Sequence, residues 1–183
     1  MGYDEAKHHR RSVRLEGYDY AQAGVYFLTV CTFGRACLFG DVVEDAMRLS
    51  ALGRIAEEEW LKTPGMRPEV ELDAYVVMPN HLHAVVLITA DGVSTRHRGE
   101  SADGAPRAPR QREARSLGSL VAGYKAVVTG RARRELGWDS GSVWQRSYFE
   151  HIIRTDRALD EIRVYIEANP WRWAWDDENP AAS

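Results

Sequence analysis

VELDAYVVMPNHLHAVVLIT, residues 70–89, is the stretch whose reading decides the fold. Val70 to Val77 and Leu82 to Thr89 are two runs rich in β-branched and aromatic residues, and Met78-Pro79-Asn80 between them reads as a tight turn. The pair is therefore expected to be a hairpin of two adjacent strands. Side chains two apart on a strand share a face, so His81 and His83 present their imidazoles side by side while Leu82 turns into the core.

The flanking chain supplies the other elements. Gly24 to Phe33 (GVYFLTVCTF) predicts a buried first strand, and Tyr148 to Arg154 (YFEHIIR) a fourth. Helical spacing of Met47, Leu49, Leu52, Ile55, Ala56 and Trp60 predicts a helix over Asp45 to Lys62. Leu117, Leu120, Val121, Tyr124, Val127 and Val128 form an apolar stripe for a second helix, Ser116 to Leu136. A third runs from Asp156 to Ala168, where Asn169-Pro170 is expected to close it, because a residue before proline disfavours the α conformation. The order strand, helix, strand, strand, helix, strand matches the split β-α-β pattern. The expected class is α+β and ferredoxin-like: a four-stranded antiparallel sheet, helices mainly on one face, and a C-terminal helix carrying Tyr165.

A chain of 183 residues, 44% hydrophobic and 28% charged, suits one globular domain. We expect a basic arm over 1–22, a single domain over 23–175 with an Arg-, Pro- and Gly-rich insertion at about 91–115, and an acidic tail over 176–183. No apolar run approaches the roughly 18 to 20 residues that span a bilayer, and the polar N-terminus lacks the apolar stretch of a signal peptide. The expectation is a cytoplasmic protein with no membrane partner. Two cysteines, Cys31 and Cys37, are too few for a disulfide scaffold or a four-thiolate zinc site. The net charge of −3 hides a segregation, since Arg96 to Arg134 holds ten basic and three acidic residues. A local excess of +7 is the footprint that phosphate contact needs. A solvated loop followed by an ordinary helix face has the same composition.

Chemistry enters through the histidine pair. Two neutral nitrogen donors on a rigid strand make half of a divalent metal site, and a further donor is needed. Without one they are a surface pair beside a turn. Tyr165 and Asn169 lie one turn apart on the last helix, so an amide oxygen could complete the site with a phenol beside it. A phenol with a pKa near 10 is a weak nucleophile at neutral pH. A cation on a phosphodiester neutralises its oxygens and makes the phosphorus easier to attack. Taken alone, Tyr165 is equally a helix tyrosine packed on the sheet.

Further motifs join these residues in one order. Arg11-Ser-Val-Arg-Leu-Glu-Gly-Tyr-Asp-Tyr-Ala-Gln-Ala-Gly24 runs into the first strand, followed by Val77-Met-Pro-Asn-His-Leu-His83 and Ser116-Leu-Gly-Ser-Leu120. Trp144-Gln-Arg-Ser-Tyr-Phe-Glu-His-Ile-Ile-Arg154 and Tyr165-Ile-Glu-Ala-Asn-Pro170 complete the set, which covers most of residues 10–172. The chain thereby resembles the REP-associated tyrosine transposases, within the single-tyrosine branch of the HUH endonuclease superfamily. That resemblance implies a ferredoxin-like fold and a Mg²⁺ or Mn²⁺ ion. It also implies nicking and rejoining of single-stranded DNA near hairpin-forming repeats through a 5′-phosphotyrosine. It casts His81 and His83 as metal ligands, Asn169 as the third ligand and Tyr165 as the nucleophile. Related insertion-sequence transposases commonly carry glutamine where Asn169 stands, and the insertion matches no motif of the group. Relatives act as monomers or as homodimers that exchange the tyrosine, and both arrangements stay open here.

Lys125, Arg131, Arg133 and Arg134 on the second helix, and Arg146 before the fourth strand, are candidates for DNA phosphate contact. His151 either faces the metal side or packs with a hydrogen bond. Trp171, Trp173 and Trp175 either stack bases or cover the core. Two other functions compete with the nuclease: a non-catalytic DNA- or RNA-binding protein of the same fold, and a metal phosphodiesterase using water.

Overall fold

The computed structural model describes residues 23–89, 116–176 and 178–182. The expected basic arm and the 91–115 insertion lie outside the described residues. Strands β1 (Gly24–Cys31), β4 (Val70–Met78), β5 (His81–Ile88) and β6 (Phe149–Ile153) form one sheet in the order β4-β5-β1-β6. Every pairing in it is antiparallel. Helices α1 (Ala51–Leu61) and α3 (Leu117–Leu136) make the connections expected of a ferredoxin-like fold, and α4 (Asp156–Arg172) follows the last strand. Among the described residues no helix is long and apolar enough to cross a membrane.

Alternation along β1 and β5 divides the molecule. Tyr26, Leu28 and Val30 join Leu82, Ala84 and Val86 in the main core, beneath Ile55, Ala56 and Trp60 of α1 and Leu120, Val121, Tyr124 and Val128 of α3. Phe27 and Val85 face the other way, packing with Ile153 and with Ile166 of α4. Helices therefore pack on both sides of the sheet, and α4 lies over the face that carries the histidines. A bulge between Leu72 and Tyr75 of β4 helps to seat it. There Asp73 receives Arg163 of α4, Nε to Oδ1 at 2.9 Å, two residues before Tyr165.

Two expectations are corrected. The region read as a helix from Asp45 begins as a hairpin, β2 (Gly40–Val43) and β3 (Ala46–Leu49). Glu44 and Asp45 take φ of 51° and 59°, the left-handed pair that matches the twist of a two-residue hairpin loop. The helix starts only after Ser50, whose side chain accepts from the Gly53 amide. Gly53 is required there, since a Cβ would lie 2.0 Å from the Phe39 carbonyl oxygen. The last helix also does not close at Asn169-Pro170 but runs to Arg172 with Pro170 inside it. In the final turn proline removes one backbone bond and keeps a helical φ, so the helix survives it. A short helix, α2 (Thr63–Met66), links α1 to β4.

Candidate metal and nucleophile site

His81 and His83 open β5 on the α4 face, with relative exposures of 0% and 3% and ring centroids 4.3 Å apart. The hydrogen bonds of Asn80 fix which nitrogen of His81 is free. The Asn80 amide nitrogen donates to the Arg35 and Glu178 carbonyl oxygens, at 3.0 and 2.6 Å. Its Oδ1 therefore faces His81 Nδ1, 2.8 Å away, and accepts the ring proton. His81 Nε2 is left with its lone pair, buried and without a hydrogen-bond partner. His83 Nδ1 lies 2.9 Å from Thr29 Oγ1 on β1, its cross-strand partner. Its Nε2 lies 3.2 Å from the Tyr165 hydroxyl. Burial, with the neighbouring His83 and Arg35 charges, holds His81 well below the ordinary imidazole range, against which the adjacent Asn169 side chain acts to raise it. Burial likewise lowers His83 to about 4. Both rings are neutral at pH 7, the state in which imidazole binds metal.

Tyr165 and Asn169 reach the pair from α4. Tyr165 is 37% exposed and sits edge-on to Phe27, 6.2 Å between centroids. Burial raises its pKa, against which the Asn169 amide acts to lower it. Asn169 itself is 1% exposed, and its Oδ1 is buried without a partner. Asp176 is the residue that sequence reasoning missed. After the α4 terminus a single 3-10 turn, Trp173–Trp175, brings the chain back across the site. Asp176 then places a carboxylate oxygen within 4.8 Å of ligand nitrogens on both histidines. No motif marks it, and its position depends on α4 continuing through Pro170. Glu178, further along, ion-pairs with Arg35 at 3.0 Å.

Two imidazole nitrogens, a carboxylate and an amide oxygen form a donor set suited to a divalent cation. Two of its atoms, His81 Nε2 and Asn169 Oδ1, are buried polar groups that the protein leaves unsatisfied, a state that costs free energy unless a ligand uses them. The residues present fit a metal ion.

The remaining candidates are dispersed. Lys125 donates from Nζ to the Gln145 and Ser147 carbonyls at 2.7 and 3.0 Å. Arg131 is enclosed by Glu58, Glu59 and Glu135, with contacts of 2.8 to 2.9 Å. Both cations hold the protein together. Arg133 is exposed at the end of α3, Arg134 contacts Glu135 at 3.2 Å, and Arg146 is exposed before β6. Trp173 packs near His81, 6.1 Å between centroids, whereas Trp171 and Trp175 are 54% and 76% exposed. His151 is exposed on β6. The cysteines are free, and burial with Glu178 nearby pushes the Cys31 thiol up to about 12.

No protein-family model matches the chain. It is 37% identical over 174 residues, 95% of each chain, to an uncharacterised protein of Haemophilus influenzae. Its fold is similar to a solved REP-associated tyrosine transposase bound to a REP hairpin, with a TM-score of 0.56 at 20% identity, over 87% of this chain and 73% of that one. The chain belongs to one family with the Haemophilus influenzae protein, and its architecture is that of the REP-associated tyrosine transposases.

Proposed function

We propose that the protein is a transposase-like endonuclease that nicks and rejoins single-stranded or hairpin DNA, with Tyr165 as its nucleophile. The observation that carries this reading is the convergence, within one chain, of the Tyr165 hydroxyl on the His81–His83 pair, 3.2 Å from His83 Nε2. The similar transposase bound to a REP hairpin supports DNA of that kind as the substrate. His81, His83 and Asp176, with Asn169 beside them, are the residues that would hold a Mg²⁺ or Mn²⁺ ion. When bound, the cation withdraws charge from the oxygens of the scissile phosphate.

The chain's own residues do the rest. Arg163 on Asp73 anchors α4 so that Tyr165 is presented at the histidine end of β5. Partial burial raises the phenol's pKa further, so it enters the reaction protonated at neutral pH. The phenolic oxygen attacks phosphorus, the bond to the 3′-oxygen breaks, and that oxygen takes a proton as the phenol loses one. The products are a 5′-phosphotyrosine and a free 3′-hydroxyl. The linkage conserves the phosphodiester's energy, so the reverse reaction joins strands without a nucleotide cofactor. The meeting of nucleophile and histidines within one chain supports action in cis. Arg133, Arg134 and Arg146, exposed and basic, are phosphate contacts in this reading, with Lys125 and Arg131 supporting the framework.

The test is incubation of end-labelled hairpin DNA bearing a single-stranded flank with the protein and Mn²⁺. A covalent adduct that disappears in Tyr165→Phe supports the proposal. Cleavage that survives Tyr165→Phe makes the enzyme a phosphodiesterase using water. Binding without cleavage makes it a non-catalytic nucleic-acid-binding protein.

A further inference from the structure

Phe149 is a large apolar side chain that the fold leaves partly open beside the candidate site. It begins β6, the edge strand of the sheet, and is 43% exposed. Exposed aromatic groups on sheet edges invite aggregation, and folds generally blunt such edges with charge. Its place in the sheet is specific. Thr29 pairs with His83 on one side and with Phe149 on the other. Phe149 is therefore level with His83 and on the same face, two strands away, roughly 10 Å across the sheet.

A chain of rings connects it to the nucleophile. Phe149 meets Phe27 edge-on at 6.3 Å, and Phe27 meets Tyr165 edge-on at 6.2 Å. Phe27 is 9% exposed and forms the floor between them. On this face α4 packs chiefly across β4, so Phe149 and His151 lie open to solvent beside the Tyr165 helix. Arg146 and Arg154 flank β6 at its two ends, both exposed, and neither enters an ion pair among the described residues. An open aromatic ring on a strand with an exposed arginine beyond each end, one ring from the candidate nucleophile, has the chemistry of a single-strand track: bases stack on the ring and phosphates meet the guanidinium groups.

We propose that Phe149 is the stacking platform for a nucleobase next to the scissile phosphate, with Arg146 and Arg154 holding the strand along β6. The position assigned to the base rests on the nuclease reading above, whereas the platform itself does not require cleavage. The occupant is single-stranded DNA, since a base in a duplex has no free face to offer.

The test measures binding of fluorescein-labelled oligothymidylate without divalent metal, so that cleavage plays no part. Phe149→Leu keeps the apolar volume and removes the π-face, while Phe149→Tyr keeps the face. Thermal melts of both variants verify folding. Stacking predicts that Phe149→Leu weakens binding by roughly 5- to 150-fold, with Phe149→Tyr close to the parent protein. It also predicts that one 5-iodouracil in the oligonucleotide crosslinks to the peptide holding Phe149. Phe149→Leu binding within twofold of the parent overturns the platform, as does a crosslink mapped only elsewhere or an oligothymidylate that does not bind. The covalent adduct on hairpin DNA is scored separately. An absent adduct with Phe149-dependent binding removes the nuclease and leaves the platform, and an adduct with no dependence on Phe149 does the reverse.

Discussion

Leu82, Ala84 and Val86 point from β5 into an apolar core, while His81 and His83 on the same strand point under α4, and all five are almost fully buried. The first set has what a buried side chain ordinarily needs: carbon neighbours on every side and no polar atom to satisfy. The second does not. His81 Nε2 and Asn169 Oδ1 stand in the interior without partners, and both imidazoles are held far from their ordinary pKa by burial. One strand thus has a face filled with carbon and a face on which two buried polar atoms stand unpartnered beside a donor cluster that could hold a cation.

The sharpest way to break this comparison is to substitute both faces. Leu82→Ala on the core side should lower the unfolding free energy by about 2–5 kcal/mol, measured by urea denaturation. His81→Leu should cost less than Leu82→Ala, because removing the unsatisfied Nε2 offsets part of the lost Nδ1 bond to the buried Asn80 Oδ1. It should also erase any rise in melting temperature on adding Mn²⁺, a rise worth about 2.7 kcal/mol at a metal concentration 100 times Kd. A His81→Leu variant that still gains stability from Mn²⁺ would move the metal site elsewhere.

Two smaller effects sharpen the picture. Asn80→Ala frees the tautomer of His81 and releases the Glu178 carbonyl that helps to place Asp176. Mn²⁺ affinity, read by isothermal titration, should fall roughly 10- to 100-fold, the usual cost of losing a group that orients a metal ligand. Thr29→Val should cost about 1 kcal/mol of stability and weaken Mn²⁺ binding less than Asn80→Ala, because the β5 ladder still orients His83.

The same contrast explains what was legible in the sequence. Strands β1, β4, β5 and β6 announced themselves as β-branched runs, and strand periodicity alone placed His81 and His83 on one face opposite Leu82. Tyr165 and Asn169 followed from helical spacing. The hairpin over residues 40–49 was hidden because Met47 and Leu49 continue, by coincidence, the helical spacing of Leu52 and Ile55. The signals against a helix were the turn pair Glu44-Asp45 and the capping Ser50. Asp176 was illegible for a different reason: a carboxylate beyond a helix end is positioned by tertiary contacts such as those of Glu178 with Arg35 and Asn80. The basic footprint over Arg96 to Arg134 was an overestimate within its described part, since composition cannot tell that Glu58, Glu59 and Glu135 already engage Arg131.

The central claim is that the phenol of α4 attacks DNA beside the histidine pair, and peptide mapping of the covalent product tests it most directly. After reaction with hairpin DNA and Mn²⁺, then nuclease and trypsin digestion, the peptide spanning residues 164–172 should carry the mass of a phosphate-linked nucleotide on Tyr165. Nucleotide mass on another tyrosine, such as Tyr148, or cleaved DNA with no modified peptide, would contradict the account.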